Sequence, residues 1–416
     1  MKAYLYKGYT VLADQAPEGA EEIAFGKTAQ ADTILRLYEG GYDDPSAYIV
    51  NRPQFIEEPH FGIRGLMDDG QGLTEPYTPF RDALTEHRII AVNTSWAGWE
   101  YRLHHPGVPA RLPARVQIIG LGDVGHTCLM ALKLLGGDLI GDIGIYDVQE
   151  AAMERWAFEM EQCVWPFSGE PMPRVHRLEK EDLFRHTDIV IFAATRGIAQ
   201  PGEEVDDVRR EQYLKNAPMV AEYASLARDR DYAGMFIMLS DPVERLAQVA
   251  WRQSNLNEAG VFDGQGLRPE QVEGYGLGVM HARAGSVMPA YIKHGRAYGR
   301  HGEGLILAND ITAYDDRVSQ DLSRRVATLN MELRRIGYKP FVGPAVSSGA
   351  LSLLSRLRGE RHYSAVFMDG VYYGAPLRTR NGLPALEYLH LDKQLCDRLI
   401  DGVAQLQAEI KADEGL

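Results

Sequence analysis

Three glycines, Gly120, Gly122 and Gly125, and one carboxylate, Asp147, have the types and spacing to hold a phosphorylated ligand. The six residues Gly120-Leu121-Gly122-Asp123-Val124-Gly125 directly follow the apolar run from Val116 and open a helical stretch. In such a loop the first glycine permits a tight turn. The second lets bare backbone approach a pyrophosphate, and the third lets the helix pack close to its strand. The helix N-terminus adds unpaired N–H groups and the positive end of the helix dipole. Leu121, Asp123 and Val124 supply the rest of the cradle's backbone. Asp147 ends the next apolar run, about twenty residues on, where a carboxylate accepts hydrogen bonds from ribose hydroxyls. It would also repel a 2′-phosphate, which points to NAD rather than NADP. An ordinary glycine turn beside a surface aspartate is the plain alternative, and the strand–loop–helix–strand context argues against it.

The elements around this loop predict a doubly wound parallel sheet of Rossmann type. VQIIG from Val116, the glycine-started helix and IGIYD form a βαβ unit. Further apolar strands are expected at Asp188–Ala194 and Met235–Leu239. Residues 1–112 mix short apolar runs (Ala47–Val50, Ile89–Val92) with turn-rich stretches (Glu39–Pro45, Asp68–Gly72), and read as a small N-terminal α/β appendage of unreadable role. His104–Pro113 holds three prolines and a glycine and reads as a linker. The expected domains are therefore 1–112, a dinucleotide-binding domain 113–254 and an α+β domain 255–416. In the last, Val318, Leu322, Val326, Leu329, Leu333 and Ile336 predict one amphipathic helix, and Leu395, Leu399, Val403, Leu406 and Ile410 another. Ser364–Met368, the turn Asp369-Gly370 and Val371–Tyr373 predict a hairpin.

Composition narrows the class of partner. With 45% hydrophobic and 25% charged residues and no apolar segment near the ~20 residues of a membrane span, the 416-residue chain reads as a soluble enzyme without membrane partners. The N-terminus shows no secretory signal, so a cytoplasmic location is expected. A net charge of -14 argues against nucleic acid and leaves small molecules as partners. Cys128, Cys163 and Cys396 are too few and scattered for a disulfide framework or a metal site, and each reads as a small buried hydrophobe.

From Val116 onward the order of short motifs resembles the lactate and malate dehydrogenase family. Ile189–Thr195 looks like its fourth strand, where Ala193 and Ala194 would line the dinucleotide. Gln200-Pro201-Gly202, Asp206-Asp207 and Asn216–Val220 resemble its mobile active-site loop and the helix behind, with Asn216 near the cofactor. Ser240-Asp241-Pro242-Val243-Glu244, Val279-Met280-His281-Ala282-Arg283 and Gly299-Arg300-His301-Gly302 are similar to three catalytic motifs. The resemblance implies a Rossmann domain followed by an α+β catalytic domain, NAD as cofactor, and hydride transfer on a small 2-hydroxy or 2-oxo acid. It also implies a homo-oligomer. By the same resemblance His301 exchanges the substrate's proton and Arg283 binds its carboxylate.

Three positions depart from the pattern. Met280 stands where the family places the carboxylate that orients its histidine, and Val205 where it places a carbonyl-polarising arginine, with Arg209 and Arg210 a few residues on. Asp241 replaces an asparagine, which favours a cationic amine or imine on the substrate, or a new role as partner of His301. Arg196 faces either a second acid group or solvent. Two readings follow: an NAD-dependent oxidoreductase with altered catalytic residues, or a dehydrogenase-derived protein that binds NAD without turnover. A third, redox-assisted glycoside hydrolysis, wants a Cys/His metal pair that the sequence does not display.

Overall fold

The structure, a computed structural model, describes residues 1–67, 73, 75–108, 111–196 and 208–413. Val- and Ile-rich segments bounded by turns pair into two sheets, as β-branched residues favour. The N-terminal sheet holds β1 (Lys2–Tyr6), β2 (Tyr9–Ala13), β3 (Glu21–Ile23), β4 (Ile34–Tyr38), β5 (Ala47–Ile49) and β6 (Ile89–Asn93) in the order β3-β1-β2-β4-β6-β5. Its middle strands β2, β4 and β6 run parallel. Arg36, buried on β4, is kept from being an orphan charge by Asp14 at 2.7 Å and by the Ile56 and Glu57 carbonyls.

The second sheet carries the predicted Rossmann core. β7 (Ala114–Ile119), β8 (Ile140–Tyr146), β9 (Arg174–Arg177), β10 (Ile189–Phe192), β11 (Met235–Met238) and β12 (Val272–Gly274) lie parallel in the order β9-β8-β7-β10-β11-β12. This is the doubly wound order 3-2-1-4-5-6, whose switch point falls between β7 and β10. The sixth strand lies beyond residue 254, and its three residues are too short to show a period in the sequence. From β12 the same sheet continues antiparallel through β15 (His362–Met368) and β16 (Val371–Arg380) to β13 (Arg296–Gly299) and β14 (Leu305–Ala308), with β17 (Leu383–Leu386) on β16. The predicted hairpin is β15–β16, turning at Asp369 and Gly370, both with positive φ.

Helices that position the site are α1 (Asp123–Leu135), α2 (Glu150–Glu161), α3 (Val208–Asp229), α4 (Val243–Ser254) and α5 (Leu277–Val287). They are followed by α6 (Asp316–Ala327), α7 (Asn330–Arg335), α8 (Leu351–Leu357) and α9 (Lys393–Asp413). The single helix expected over 318–336 is therefore two, α6 and α7. Leu322 and Val326 are buried, whereas Val318, Leu333 and Ile336 are exposed, so no continuous stripe is packed. At the break the Thr328 hydroxyl bonds back to the Arg324 and Arg325 carbonyls, a local bond that competes with the helical ladder. Of the cysteines only Cys128 is fully buried; Cys163 and Cys396 are half-buried.

Residues 1–112 are more than a tethered appendage. Phe55, Ile56, Ile63 and Leu66 share one apolar core with Leu395, Leu399, Val403 and Leu406 of α9. Arg102 and Glu270 make a buried ion pair at 2.9 Å between the two halves. The predicted linker is itself fastened, Val108 N–H donating to the Gly382 carbonyl at 3.1 Å. Among the described residues no helix is long and apolar enough to cross a membrane.

Candidate active site

At the switch point the C-terminal ends of β7, β8 and β10 and the start of α1 enclose a cleft of about 530 Å³. Gly120 has φ +93°, and a Cβ there would lie 2.5 Å from the Ala194 Cα. A Cβ on Gly125 would overlap the Gly120 carbonyl, so helix and turn can approach only with glycine. Nothing lies within 4 Å of the Cβ position of Gly122, which stands before α1 on the cleft wall. Bare backbone opening a helix into open space fits a diphosphate. Leu121, Asp123, Val124, Asp147, Ala193 and Ala194 also line the cleft.

Two predicted contacts have structural tasks as well. One Asp147 oxygen accepts from Leu121 N–H at 2.7 Å and the other from Gln149 N–H at 2.9 Å, so this carboxylate braces the glycine loop. Asn216 is fully buried behind the wall. It accepts from Arg196 N–H at 2.8 Å and donates to the Thr195 hydroxyl at 3.2 Å and the Asp241 carbonyl at 3.0 Å, clamping the ends of β10 and β11. Arg196 is on the cleft wall. Asp123, in the first turn of α1, pairs with Lys339 at 3.1 Å, bringing the segment after α7 over the glycine loop.

A smaller chamber of about 100 Å³ adjoins the cleft, sharing Val124, Leu239, Asp241 and Phe341. Here the separate motifs meet: Asp241 after β11, Met280 and Arg283 on α5, His301 after β13, and Arg209 in the first turn of α3. The His301 Nδ1 lies 2.8 Å from the Gly276 carbonyl, which only a protonated nitrogen can satisfy. That carbonyl also accepts the Ser348 hydroxyl at 2.7 Å, and Ser348 accepts Val279 N–H at 3.0 Å. The ring is thus oriented by neutral groups. Its Nε2 is left as the acceptor, 3.8 Å from the Asp241 carboxylate. Asp241 therefore sits beside Nε2 and not behind the ring. Met280 takes no part in orienting the histidine; its sulfur is 3.8 Å from an Arg283 nitrogen.

The electrostatics follow from burial. It pushes His301 below the ordinary imidazole range; Asp241 pulls it back up, and Arg209 and Arg283 push it further down. Burial likewise lowers Arg283, against the attraction of Asp241, but a guanidinium stays charged throughout. Glu244, buried in the first turn of α4, accepts the backbone N–H of His301 at 2.8 Å, and burial lifts its carboxyl to about 6.

Of the two arginines considered for the missing loop cation, Arg209 is the one at the chamber. A Cβ on Gly302, whose φ is +115°, would run into its guanidinium. Arg210 is exposed and does not line the chamber. Val205, Gln200-Pro201-Gly202 and Asp206-Asp207 lie outside the described residues. Sequence reasoning missed the Gly276 carbonyl, Ser348 and Glu244. Only Glu244 carried a signal, as the last residue of Ser240–Glu244; Ser348 reaches the site from a π-helical turn, Ala345–Ala350, that no periodicity announces. Among the described residues no three His, Cys, Asp or Glu side chains gather as a metal site.

Residues 114–263 match the family model described as lactate/malate dehydrogenase, NAD binding domain. L-lactate dehydrogenase 1 of Bacillus cereus is 29% identical over 196 residues, 45% of this chain and 55% of that protein. L-lactate dehydrogenase 2 of the same organism is 28% identical over the same shares. The chain thus matches about half the length of these curated relatives. Among solved structures, the malate dehydrogenase of Cryptosporidium parvum superposes with a TM-score of 0.58 at 17% identity, covering 73% of this chain and 99% of that one. A lactate dehydrogenase from a Medee basin deep-sea metagenome library gives 0.56 at 18% identity, covering 72% and 99%. These structural likenesses establish the fold.

Proposed function

We propose that the chain, whose residues 114–263 match the lactate/malate dehydrogenase NAD-binding model, is an NAD-dependent oxidoreductase acting on a small acid substituted at C2, with an amine or imine favoured over a hydroxyl or ketone. The observation that carries this reading is the meeting of Arg283, Arg209, Asp241 and the free Nε2 of His301 in a chamber that opens from the cofactor cleft. Bound NAD would take up or give back the hydride of the C2–H bond.

The chain's own residues account for the rest of the reaction. Arg283 offers a charged fork for the substrate carboxylate. In the oxidative direction the N–H or O–H proton passes to His301 Nε2 as the C2 substituent becomes doubly bonded, and in reduction it returns. Asp241 stabilises the imidazolium formed. It also gives an amine or iminium a second acceptor beside His301, whereas a hydroxyl has one proton to donate and a ketone none. Arg209 supplies positive charge on the His301 side of the chamber, the role left open at Val205. A chamber of about 100 Å³ suits a short acid, being smaller than the ~150 Å³ apolar cavity that holds a benzene ring.

The test is a panel of short 2-oxo acids with NADH, each with and without ammonia, monitored by NADH oxidation. Turnover that requires ammonia, and that Asp241→Asn reduces more than it reduces any 2-oxo acid activity, is the expected result; unchanged turnover and substrate range in Asp241→Asn would overturn the amine assignment. The second reading, an NAD binder without turnover, draws on Met280 in place of a carboxylate partner. NADH binding by calorimetry with no oxidation across the panel would favour it.

A further inference from the structure

Away from the cofactor cleft, a pocket of about 430 Å³ opens along the seam between the helices and loops of the N-terminal unit and strands β16 and β17. One wall comes from the N-terminal unit, including Arg81, Leu84 and His87; the other comes from the C-terminal half, including Arg361, Arg378 and Leu386. None of its lining residues lines the cofactor cleft or the catalytic chamber. We propose that this seam pocket binds a small organic phosphate monoester, its phosphate among Arg81, Arg361 and Arg378 and its carbon body on the leucines of the lining.

The charge balance supports an anion. Three arginines face the pocket in a chain of net charge -14. Among the described residues the one carboxylate on its wall, Glu387, is already held by two nitrogens of Arg296 at 2.7 and 2.9 Å and by Arg361 at 2.9 Å. Among the described residues neither Arg81 nor Arg378 has a carboxylate within 4.0 Å, so two guanidiniums remain uncompensated on opposite walls. The half-buried ring of His87 registers the resulting field: its pKa is lowered by burial and then by Arg380 and Arg378. The guanidinium fork matches phosphate oxygens in pairs, which a lone ammonium does not. The apolar part of the lining supplies the second half of the recognition: Leu73, Leu84 and Leu386 line the same pocket as the cations. A cavity of this size is within the ~300–1,000 Å³ range of small-ligand sites. Because the two walls belong to different halves of the molecule, an occupant would bridge them.

The test uses the full chain with saturating NADH, so that the cofactor's own phosphate site is filled, and follows binding of phenyl phosphate by calorimetry at constant ionic strength. Saturable binding is expected, with inorganic phosphate and phenol each at least ~10-fold weaker, since each lacks one half of the recognition. Arg81→Gln with Arg378→Gln should weaken phenyl phosphate about 10-fold or more and leave NADH affinity unchanged. Thr85→Trp, which fills the pocket from its exposed rim without changing charge, should block binding independently. The proposal is overturned if phenyl phosphate does not saturate, if inorganic phosphate binds as tightly, or if neither variant weakens binding while both keep the wild-type NADH affinity.

Discussion

His301 works with neutral supports. A carboxylate behind the ring would stabilise its protonated form; a carbonyl orients it without that full charge. The charge instead stands in front, as Asp241, 3.8 Å from Nε2, where the proposed reaction would use it toward both imidazolium and substrate. Arg283 carries the complementary task, and Arg283→Ala is expected to raise KM about 10- to 100-fold through loss of a charge-assisted pair. Steady-state kinetics check this, with NADH affinity as the control that should not move. Glu244 gives a pH prediction. Its carboxyl titrates near 6 in the fold against 4.5 for the ordinary group, so the folded state binds the proton more tightly than the unfolded one. Stability from this group is greatest below about 4.5 and falls as pH rises to about 6, leaving a cost of roughly 2 kcal/mol above that. His301 opposes this slope, since its depressed pKa costs stability as pH falls below 6.5. Glu244→Gln keeps an oxygen for the His301 N–H and removes the ionisation. Urea denaturation from pH 4.5 to 7 should therefore show the variant gaining on the wild type as pH rises, and a constant difference would refute it.

At the scale of elements, the site depends on how helix and strand ends are held. The Gly276 carbonyl is fixed by Ser348 on the π-helical turn Ala345–Ala350, which packs on α1. Ser348→Ala removes one neutral hydrogen bond of about 1 kcal/mol, and kcat is expected to fall about fivefold with KM for the acid little changed. The pH profile should shift, since the same carbonyl holds the imidazole tautomer, and Ser348→Thr should restore it. Of the parallel strands, β7, β8, β10 and β11 were legible because each is a short apolar run between turn residues, whereas β9, Arg-Val-His-Arg, and the three-residue β12 are not. The break between α6 and α7 was not, because the periodicity of Val318, Leu322, Val326, Leu329, Leu333 and Ile336 reports what a helix would bury, not whether a neighbour exists to bury it.

On the scale of the whole molecule, the residues before β7 add a second sheet to the doubly wound fold. Phe55, Ile56, Ile63 and Leu66 cover α9, and Arg102 neutralises a buried Glu270 from the other half. Deleting residues 1–108 would expose that apolar face and leave Glu270 without Arg102 and Ser46. The truncated chain is expected to aggregate or to melt at a markedly lower temperature, which light scattering and a thermal melt will read. A truncated chain that stays monodisperse with the full-length melting temperature would show that the shared core contributes little.

The sequence by itself determined the glycine loop at the head of α1, because close backbone approach and positive φ admit few residues other than glycine at Gly120 and Gly125, and local chemistry is enough to recognise them. It also marked Asp147, Asp241, Arg283 and His301 as residues whose types suit the reaction. What the tertiary structure decided was their relation. It set Asp241 before the imidazole, gave the role behind the ring to the Gly276 carbonyl and Ser348, brought Arg209 to the chamber, and put Asn216 behind the wall. These contacts join residues 20 to 93 positions apart, and side chains that distant are brought together by sheet order and packing, which no local pattern encodes.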